Sequence, residues 1–228
     1  MLDIHSNGLG GDLIMTLAIY CAGGLGKEII ALARCVCVWN EIIFVDDITE
    51  NEWYEGAKVF KFDKLYEYND EIEFVIANGE PYIREILYEK IKAAGYKMTT
   101  ICGPSCSILP GAIIGEGCIL CDGYISAGAV VGNNVLFNGR AMVGHDAVIG
   151  SSSVLSASSF IGGFTEIGNR VYIGPGAMVK DRIKIGSDAI VSIGAVVLRY
   201  VKEKAIMMGN PAKLIGYNTE GRVFGMFN

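Results

Sequence analysis

The chain has 228 residues, of which 51% are hydrophobic and 19% charged, so it has ample apolar material for a core and little of the composition of a disordered chain. Its formal net charge of −6 argues against a nucleic-acid-binding surface, which needs clustered lysine and arginine. No apolar run approaches the roughly 20 residues that span a bilayer. The 30 glycines, set against only 5 prolines, indicate many tight turns.

The first residues differ in character from the rest. Residues 1–14 are predicted to be an extension or a disordered arm, because a strand-like run begins directly after Met15, the expected native start. The N-terminus has no basic segment followed by an apolar stretch, which predicts a cytoplasmic protein. His5 then carries no functional weight, and His145 is the one histidine left for chemistry.

Cysteines occur in otherwise apolar segments, at positions 21, 35, 37, 102, 106, 118 and 121. Cys118 and Cys121 have the spacing of half a zinc site, but no second such pair and no paired histidines accompany them. Buried free thiols are therefore the favoured interpretation, and no metal is expected. Unpaired cysteines also fit a reducing compartment.

From residue 15 to about residue 101, predicted strands alternate with predicted helices. The elements are a strand over 16–21, a glycine-rich turn over 22–26, a helix over 27–36, strands over 41–45 and 73–77, a helix over 82–94 and a strand over 97–101. This order is typical of a small parallel sheet, a Rossmann-like half, with ligands near the carboxyl ends of its strands. Residues 15–101 are therefore predicted to form an α/β domain.

From about residue 107 the period changes to six. A long series of residues spaced by six is apolar: Val131, Phe137, Val143, Ile149, Leu155, Ile161, Ile167, Ile173, Val179, Ile185, Val191 and Val197. Many of them are followed by glycine, and small or β-branched residues stand two positions before each. The same spacing holds upstream at Ile108, Ile114 and Leu120, with a one-residue slip before Ile125.

A six-residue repeat fits neither a helical period nor simple strand alternation. It is typical of a solenoid in which three short strands and their turns make one coil. The apolar residue should fill the interior, and glycine should take turn backbone that other residues resist. Residues 102–198 are predicted to form a catalytic β-helix of roughly five coils, followed by a C-terminal tail over 199–228.

The hexapeptide pattern resembles that of the left-handed β-helix acyltransferases. Together with the preceding α/β domain, it makes residues 15–217 similar to the bacterial nucleotide-sugar N-acetyltransferases of the PglD/NeuD type. The resemblance implies a nucleotide-sugar-binding α/β domain, an all-β left-handed parallel β-helix, and a homotrimer with active sites between subunits. It also implies transfer from acetyl-CoA to the 4-amino group of a UDP-, dTDP- or GDP-linked 4-amino-4,6-dideoxy sugar, in lipopolysaccharide O-antigen or other glycan biosynthesis.

His145, within Val143-Gly144-His145-Asp146, is the expected general base. It follows an interior position by two residues, so its side chain should project near a corner of the solenoid. An imidazole titrates near neutrality and can take a proton from an attacking amine or hydroxyl. Asp146 can orient the ring and stabilise the imidazolium. The family it resembles has His followed by Glu or Asp here and uses that His as base; the alternative is a packed or solvated histidine.

A glycine-rich turn joins the first strand to the first helix, and bare amides at a helix N-terminus suit a phosphate. By resemblance, the acceptor-binding residues are Gly23, Gly24 and Leu25 for the diphosphate, Asp46 and Asp47 for the nucleoside, and in addition Gly79 and Asn138. Cys21 stands where the family usually has its first glycine, and Leu25 where it often has histidine. The alternative for the glycines is a plain βα turn. Asn138 could instead support His145 or be a turn asparagine.

Resemblance assigns acetyl-CoA contacts to Gly163, Pro175 and Ile193 on the neighbouring subunit, and Lys213 is a further expected cofactor-binding residue. Lys213 ends the segment 209–213, which resembles the Gly-x-Pro-Ala-Lys that closes many hexapeptide acyltransferases. The C-terminal third also has a local surplus of lysine and arginine. Some of these side chains could meet the CoA phosphates, and the others are expected to be solvated.

Other functions remain to be weighed. O-acetylation of a sugar such as sialic acid would use the same base, whereas a nucleotide-sugar-binding scaffold would need none. A dehydrogenase is suggested by Asp46, twenty residues after Gly26, but the domain is only half a dinucleotide fold. A zinc hydratase of the γ-carbonic anhydrase type needs three histidine ligands, and His145 is the one credible candidate.

Overall fold

The computed structural model describes residues 15–68 and 71–224. The predicted extension over 1–14, His5 included, lies outside the described residues. Within the described ranges, no helix has the length and apolar character that crossing a bilayer would need.

The N-terminal domain is a parallel sheet with a helix on each face. Its elements are β1 (Met15–Tyr20), α1 (Gly24–Val36), β2 (Glu41–Val45), β3 (Trp53–Tyr54), β4 (Ala57–Phe60), a 3₁₀-helix (Phe62–Glu67), β5 (Glu71–Ile76), α2 (Pro81–Ala93) and β6 (Lys97–Met98). The strand order is β3-β4-β2-β1-β5-β6, and every pair except β3–β4 is parallel. The central strand β1 is buried over residues 16–20, as its unbroken apolar run requires when both faces are covered.

The sequence did not predict the β3–β4 hairpin or the 3₁₀-helix. The strand predicted over 97–101 is also divided. Lys97–Met98 joins the N-terminal sheet, whereas Ile101 belongs to the next domain. The domain boundary predicted after residue 101 therefore falls within a strand.

The second domain is a three-sided parallel β-helix. Its strands are β7 (Ile101–Cys102), β8 (Cys106–Ile108), β9 (Ile113–Ile114), β10 (Ile119–Leu120), β11 (Gly123–Ile125), β12 (Val130–Val131), β13 (Leu136–Phe137), β14 (Ala141–Val143), β15 (Val148–Ile149), β16 (Val154–Leu155), β17 (Phe160–Ile161), β18 (Glu166–Ile167), β19 (Tyr172–Ile173), β20 (Met178–Val179), β21 (Lys184–Ile185), β22 (Ile190–Val191), β23 (Val196–Val197), β24 (Ala205–Met208) and β25 (Lys213–Tyr217). The predicted fold class is confirmed.

Three sheets form the sides of the β-helix. The first face contains β7, β10, β13, β16, β19, β22 and β24, with β25 added antiparallel to β24; the second face contains β8, β11, β14, β17, β20 and β23; the third face contains β9, β12, β15, β18 and β21. Successive coils pair at a spacing of 18, as Val130 does with Val148. The one-residue slip predicted before Ile125 corresponds to a coil that is one residue shorter than the others, because Ile108 pairs with Ile125.

The apolar residues of the hexapeptide repeat fill the interior, where the whole series from Val131 to Val197 is buried. The glycines that follow them do not adopt the left-handed backbone that was expected. They allow neighbouring coils to approach: a Cβ on Gly144 would lie 2.6 Å from the backbone nitrogen of Gly163, and one on Gly150 would lie 2.4 Å from the carbonyl carbon of Gly168. Left-handed backbone occurs two residues later, at positions such as Asp146 and Phe164.

The outer sides of the three faces differ. The first face presents apolar residues, from Ile101 to Ile206, that pack with α1 and the N-terminal sheet in one buried cluster. The second face presents exposed apolar side chains at Tyr124, Met142, Phe160 and Met178. The third face is apolar in its first coils and ends in an ion pair between Lys184 and Glu166, 2.8 Å apart.

Arg84 of α2 joins the two domains. It is fully buried, and its guanidinium donates to the backbone carbonyls of Ile76 (2.5 Å) and Asn78 (3.1 Å), and to the carbonyl and side-chain oxygens of Asn134 (2.8 Å each). Burial lowers the pKa of Arg84 to about 10, so it stays charged at neutral pH. One side chain thus satisfies acceptors from β5, its following loop and the β-helix.

Replacing Arg84 by methionine is expected to lower the free energy of unfolding by about 3 kcal/mol, because several buried carbonyls lose their donor while the volume is largely kept. Urea denaturation measures this change. Arg34→Met, which removes an exposed arginine with one hydrogen bond to the carbonyl of Glu55, is the control, and its expected cost is below about 1 kcal/mol. Equal losses for the two variants would contradict the assigned role of Arg84.

Candidate active site

His145 lies at the corner between the second and third faces, in the turn that follows β14. Its side chain is 58% exposed and points away from the interior. Nδ1 of the ring lies 2.9 Å from Oδ2 of Asp146. If Nδ1 carries the proton for this hydrogen bond, Nε2 is left as the unprotonated nitrogen that can accept a proton.

The left-handed backbone of Asp146 (φ 57°) turns its carboxylate back toward the ring of the preceding residue. Gly128, one coil earlier, leaves space for this carboxylate, since a Cβ there would lie 2.6 Å from Oδ1 of Asp146. The contact between chain neighbours is thus built by turn geometry.

The next coil packs against the other side of the imidazole. The ring of Phe164 meets that of His145 edge to face, with centroids 4.9 Å apart, and the guanidinium of Arg182 lies 4.3 Å from the Phe164 centroid. A Cβ on Gly163 would lie 2.8 Å from Nε2 of His145, so a bare residue at this position keeps Nε2 accessible. The N–H of Gly163 donates to Oδ1 of Asp181 (2.9 Å).

Asn138 lies at a different corner, between the first and second faces, in the turn after β13. Its Oδ1 is buried, and no donor among the described residues hydrogen-bonds to it. A cleft of about 470 Å³ between α1 and the β-helix opens here, and it is lined by Glu28, Leu32, Cys121, Asn138, Gly139 and Ala157. A buried acceptor without a partner at a cleft can take a hydrogen bond from a ligand.

The glycine-rich turn opens α1 at the carboxyl end of β1. Gly23 is the N-cap of this helix, and a Cβ on Gly23 or Gly24 would meet nothing within 4 Å, so both face open space. The side chain of Leu25 packs instead against the apolar cluster beneath α1. The carbonyl of Gly23 accepts a hydrogen bond from the Tyr54 hydroxyl (3.1 Å), which brings the β3–β4 hairpin to the turn.

Asp46 fastens this turn to the end of β2. Its carboxylate accepts hydrogen bonds from the backbone N–H groups of Ala22 (2.8 Å), Ile48 (2.8 Å) and Thr49 (2.9 Å). Burial acts to raise the pKa of Asp46, but these N–H donors outweigh it, and the pKa is lowered. Asp46 is therefore an anion that shapes the carboxyl edge of the sheet.

Asp47 belongs to a cluster on the α2 side of the sheet. It accepts from the Tyr20 hydroxyl (2.5 Å) and from the Phe62 N–H (3.0 Å), and it forms an ion pair with Lys90 at 2.6 Å. Burial acts to raise the pKa of Asp47, and the hydrogen bonds from Lys90 and Tyr20 lower it. Both oxygens of this carboxylate are thus engaged within the protein.

Gly79 lies in the loop that follows β5. This loop is next to the glycine-rich turn, as shown by the 3.6 Å distance between Nδ2 of Asn78 and the sulfur of Cys21. A Cβ on Gly79 would lie 3.4 Å from the ring of Phe224, which returns from the C-terminal segment. Gly23, Gly24, Asp46 and Gly79 therefore lie along one edge of the sheet.

The residues assigned to the cofactor divide between two corners. Gly163 shares the corner of His145, whereas Pro175 and Ile193 follow β19 and β22 at the corner of Asn138. Lys213 begins β25 close to the corner of Asn138. The backbone N–H of the preceding Ala212 donates to the carbonyl of Val196 (2.8 Å), which begins β23 just after that corner. Within one chain, the structure thus separates His145 from Asn138, Pro175 and Ile193 by the width of the second face.

Residues 16–91 match the family model of the PglD N-terminal domain. The acetyltransferase domain of PglB from Neisseria gonorrhoeae, in complex with acetyl coenzyme A, is 30% identical with a TM-score of 0.83, and the match covers 88% of this chain and 98% of that one. PerB from Caulobacter crescentus, in complex with CoA and GDP-perosamine, is 28% identical (TM-score 0.81, 93% and 100% covered). WeeI from Acinetobacter baumannii is also 28% identical (TM-score 0.81, 88% and 100% covered).

The chain belongs to the PglD-type hexapeptide-repeat acetyltransferases. The expected family, the left-handed β-helix fold and the expectation of an acetyltransferase are confirmed.

The backbone at Cys21 shows why the PglD-type pattern usually has glycine at this position. Cys21, which stands where a first glycine is usual, has a left-handed backbone with φ 82°. Glycine takes this conformation without strain, and cysteine does so rarely. Burial raises the pKa of the Cys21 thiol to about 11, so at neutral pH it is not a thiolate nucleophile.

Two aromatic residues at the PglD-type site were missed in the sequence. Phe164 stands 18 residues after Asp146, so the coil length alone was a usable signal for its contact with His145. Phe224 had no such signal, because it reaches Gly79 from the C-terminal segment.

Cys118 is buried, Cys121 is partly buried and both are free; in the part of the chain described, no group of three possible metal ligands occurs.

Proposed function

We propose that the chain transfers the acetyl group of acetyl-CoA to the 4-amino group of a nucleotide-linked 4-amino-4,6-dideoxy sugar, with His145 as the general base. The observation that carries the proposal is the exposed His145–Asp146 pair, held 2.9 Å apart at one edge of the apolar second face. PerB, at 28% identity, is described with CoA and GDP-perosamine, which supports this choice of donor and acceptor class. The free state of all the cysteines supports a cytoplasmic location.

The chemistry is a direct transfer in which acetyl-CoA supplies a reactive thioester. The neutral amine of the acceptor attacks the thioester carbonyl, the C–N bond forms, the C–S bond breaks, and CoA leaves as its thiol. Nε2 of His145 takes the proton that the amine loses and can return it to the departing sulfur. The carboxylate of Asp146 stabilises the transient imidazolium.

A homotrimer built on the second face would complete the site. Side chains such as Met142 and Phe160 leave that face apolar and exposed, and apolar patches of this kind are typical of subunit interfaces. His145 lies at one edge of the face, and Asn138 and Pro175 lie at the other. In a ring of three chains packed through this face, opposite edges of neighbouring chains meet. The base of one subunit would then act beside the acceptor and CoA residues of the next.

O-acetylation of a sugar remains the second candidate, because the same base can activate a hydroxyl. The unpartnered, buried Oδ1 of Asn138 favours an acceptor that donates a hydrogen bond, which both amines and hydroxyls do. The two reactions therefore need a direct comparison.

The testing experiment is a thiol-release assay with acetyl-CoA. The acceptors are UDP-, dTDP- and GDP-linked 4-amino-4,6-dideoxy sugars, each paired with its 4-hydroxy counterpart. We expect CoA release with at least one amino sugar and at least about 100-fold slower release with its hydroxyl partner, because a neutral amine is a much stronger nucleophile than a hydroxyl. Release with hydroxyl acceptors alone would overturn N-acetylation, and binding without release would indicate a scaffold.

A further inference from the structure

The C-terminal segment Gly221–Phe224 crosses the ligand edge of the N-terminal domain. The backbone N–H groups of Val223 and Phe224 both donate to the carboxylate of Glu80, at 2.8 and 2.6 Å. Gly221, with φ 69°, lies against the ring of Tyr82, which a Cβ would approach to 3.4 Å. Charge-assisted hydrogen bonds from two successive amides fix the segment to the start of α2.

The ring of Phe224 stands between the two domains. On one side it faces Gly79, where an added Cβ would lie 3.4 Å from the ring, and on the other it meets Tyr172 of β19 edge to face, with centroids 5.6 Å apart and an interplanar angle of 83°. The side chain nevertheless remains 56% exposed. An aromatic residue that is fixed by its neighbours and still open to solvent can supply a flat apolar surface to a ligand.

The strand order indicates which part of a ligand reaches this ring. β1 lies between β2 and β5, so their carboxyl ends follow one another along the edge. If the nucleoside lies near Asp46 after β2, and the diphosphate lies at the open glycines after β1, the sugar extends toward Gly79 after β5. The ring of Phe224 faces Gly79.

We propose that Phe224 is a specificity-determining residue of the acceptor site, which packs its ring against the apolar face of the pyranose in a nucleotide-linked 6-deoxy sugar. This inference rests on the proposed function, because it takes the acceptor class from it. A 6-deoxy sugar has a methyl group and C–H groups that gain from an apolar partner, and in the order argued from the strands the nucleoside and diphosphate parts lie before β5 and away from the ring.

Calorimetric titration of the purified full-length protein tests the proposal. The ligands are UDP-, dTDP- and GDP-linked 4-amino-4,6-dideoxy sugars and, separately, UDP, dTDP and GDP. Phe224→Ala and Phe224→Leu should weaken binding of the nucleotide sugar about tenfold and leave binding of the nucleoside diphosphate unchanged. Phe224→Tyr keeps the ring and should bind like the parent chain.

Two further variants sharpen the result. Tyr66→Ala removes another exposed aromatic side chain and should change neither affinity. Glu80→Gln weakens the anchor of the segment and should lower affinity for the nucleotide sugar alone. Unchanged nucleotide-sugar binding in Phe224→Ala, or an equal loss for the nucleoside diphosphate, would overturn the proposal. Binding that shows this pattern without any acetyl transfer would sink the proposed function and leave the role of Phe224 standing.

Discussion

Replacing His145 by alanine is expected to lower kcat/KM for acetyl transfer about 1000-fold, the scale of a lost general base. The imidazole is exposed, its Nδ1 is engaged with Asp146, and Nε2 is open to a ligand above Gly163. No other histidine lies within residues 15–68 and 71–224 to replace it. Steady-state CoA release measures the effect.

Two companion variants separate catalysis from folding and binding. Gly163→Ala keeps the imidazole but puts a methyl group 2.8 Å from Nε2, so it should lower kcat. Asp146→Asn should cost about fivefold, because an exposed carboxylate stabilises a nearby cation by roughly 1 kcal/mol. CoA affinity and oligomeric state should be those of the parent chain in His145→Ala. Turnover that survives this substitution would end the assignment of His145 as base.

The interior of the β-helix could be predicted because its signal is local and repeated. Each hexapeptide contributes one apolar residue to a core that the next coil continues, so the buried series from Val131 to Val197 follows from spacing alone. The one-residue slip before Ile125 could be predicted for the same reason, and it corresponds to one coil that is a residue shorter than the others.

The role of the glycines that follow the apolar repeat positions was predicted wrongly. Two different structural requirements, a left-handed backbone and close packing of neighbouring coils, both select glycine. Sequence alone does not distinguish a glycine that needs a left-handed backbone from one that needs close approach. At Gly144 the reason is close approach, and the left-handed position falls on Asp146 instead. That displacement matters for the site, since it turns the Asp146 carboxylate toward His145.

Contacts between segments distant in the chain could not be predicted. The engagement of Asp47 by Lys90 joins residues 43 positions apart, and Phe224 reaches Glu80 across 144 positions. The β3–β4 hairpin had a local signal, a Glu55-Gly56 turn with left-handed backbone at both residues, but its strands are too short to show alternation. The sequence therefore predicted which residues lie at the carboxyl edge of the sheet, without showing which of their side chains are already engaged by other residues.

Phe160→Lys, on the outer side of the second face, is expected to separate the proposed trimer and to lower kcat/KM at least about 100-fold. In the proposed assembly three such side chains converge, and three unpaired ammonium groups would have to leave water together, which costs several kcal/mol. Separation moves His145 away from Asn138 and Pro175 of the neighbouring chain, and a catalytic group that has lost its position loses at least this much rate. Light scattering reports the assembly, and CoA release reports the activity.

The third face offers a matched control for this variant. Val130 is 36% exposed on that face, against 38% for Phe160 on the second, so Val130→Lys adds the same charge at similar exposure. Because the proposed interface leaves the third face in water, this variant should remain trimeric and active. If Val130→Lys dissociates and Phe160→Lys does not, the subunits pack through the third face. His145 would then meet the corner that carries Asn134 rather than Asn138, and the composite site proposed here could not form.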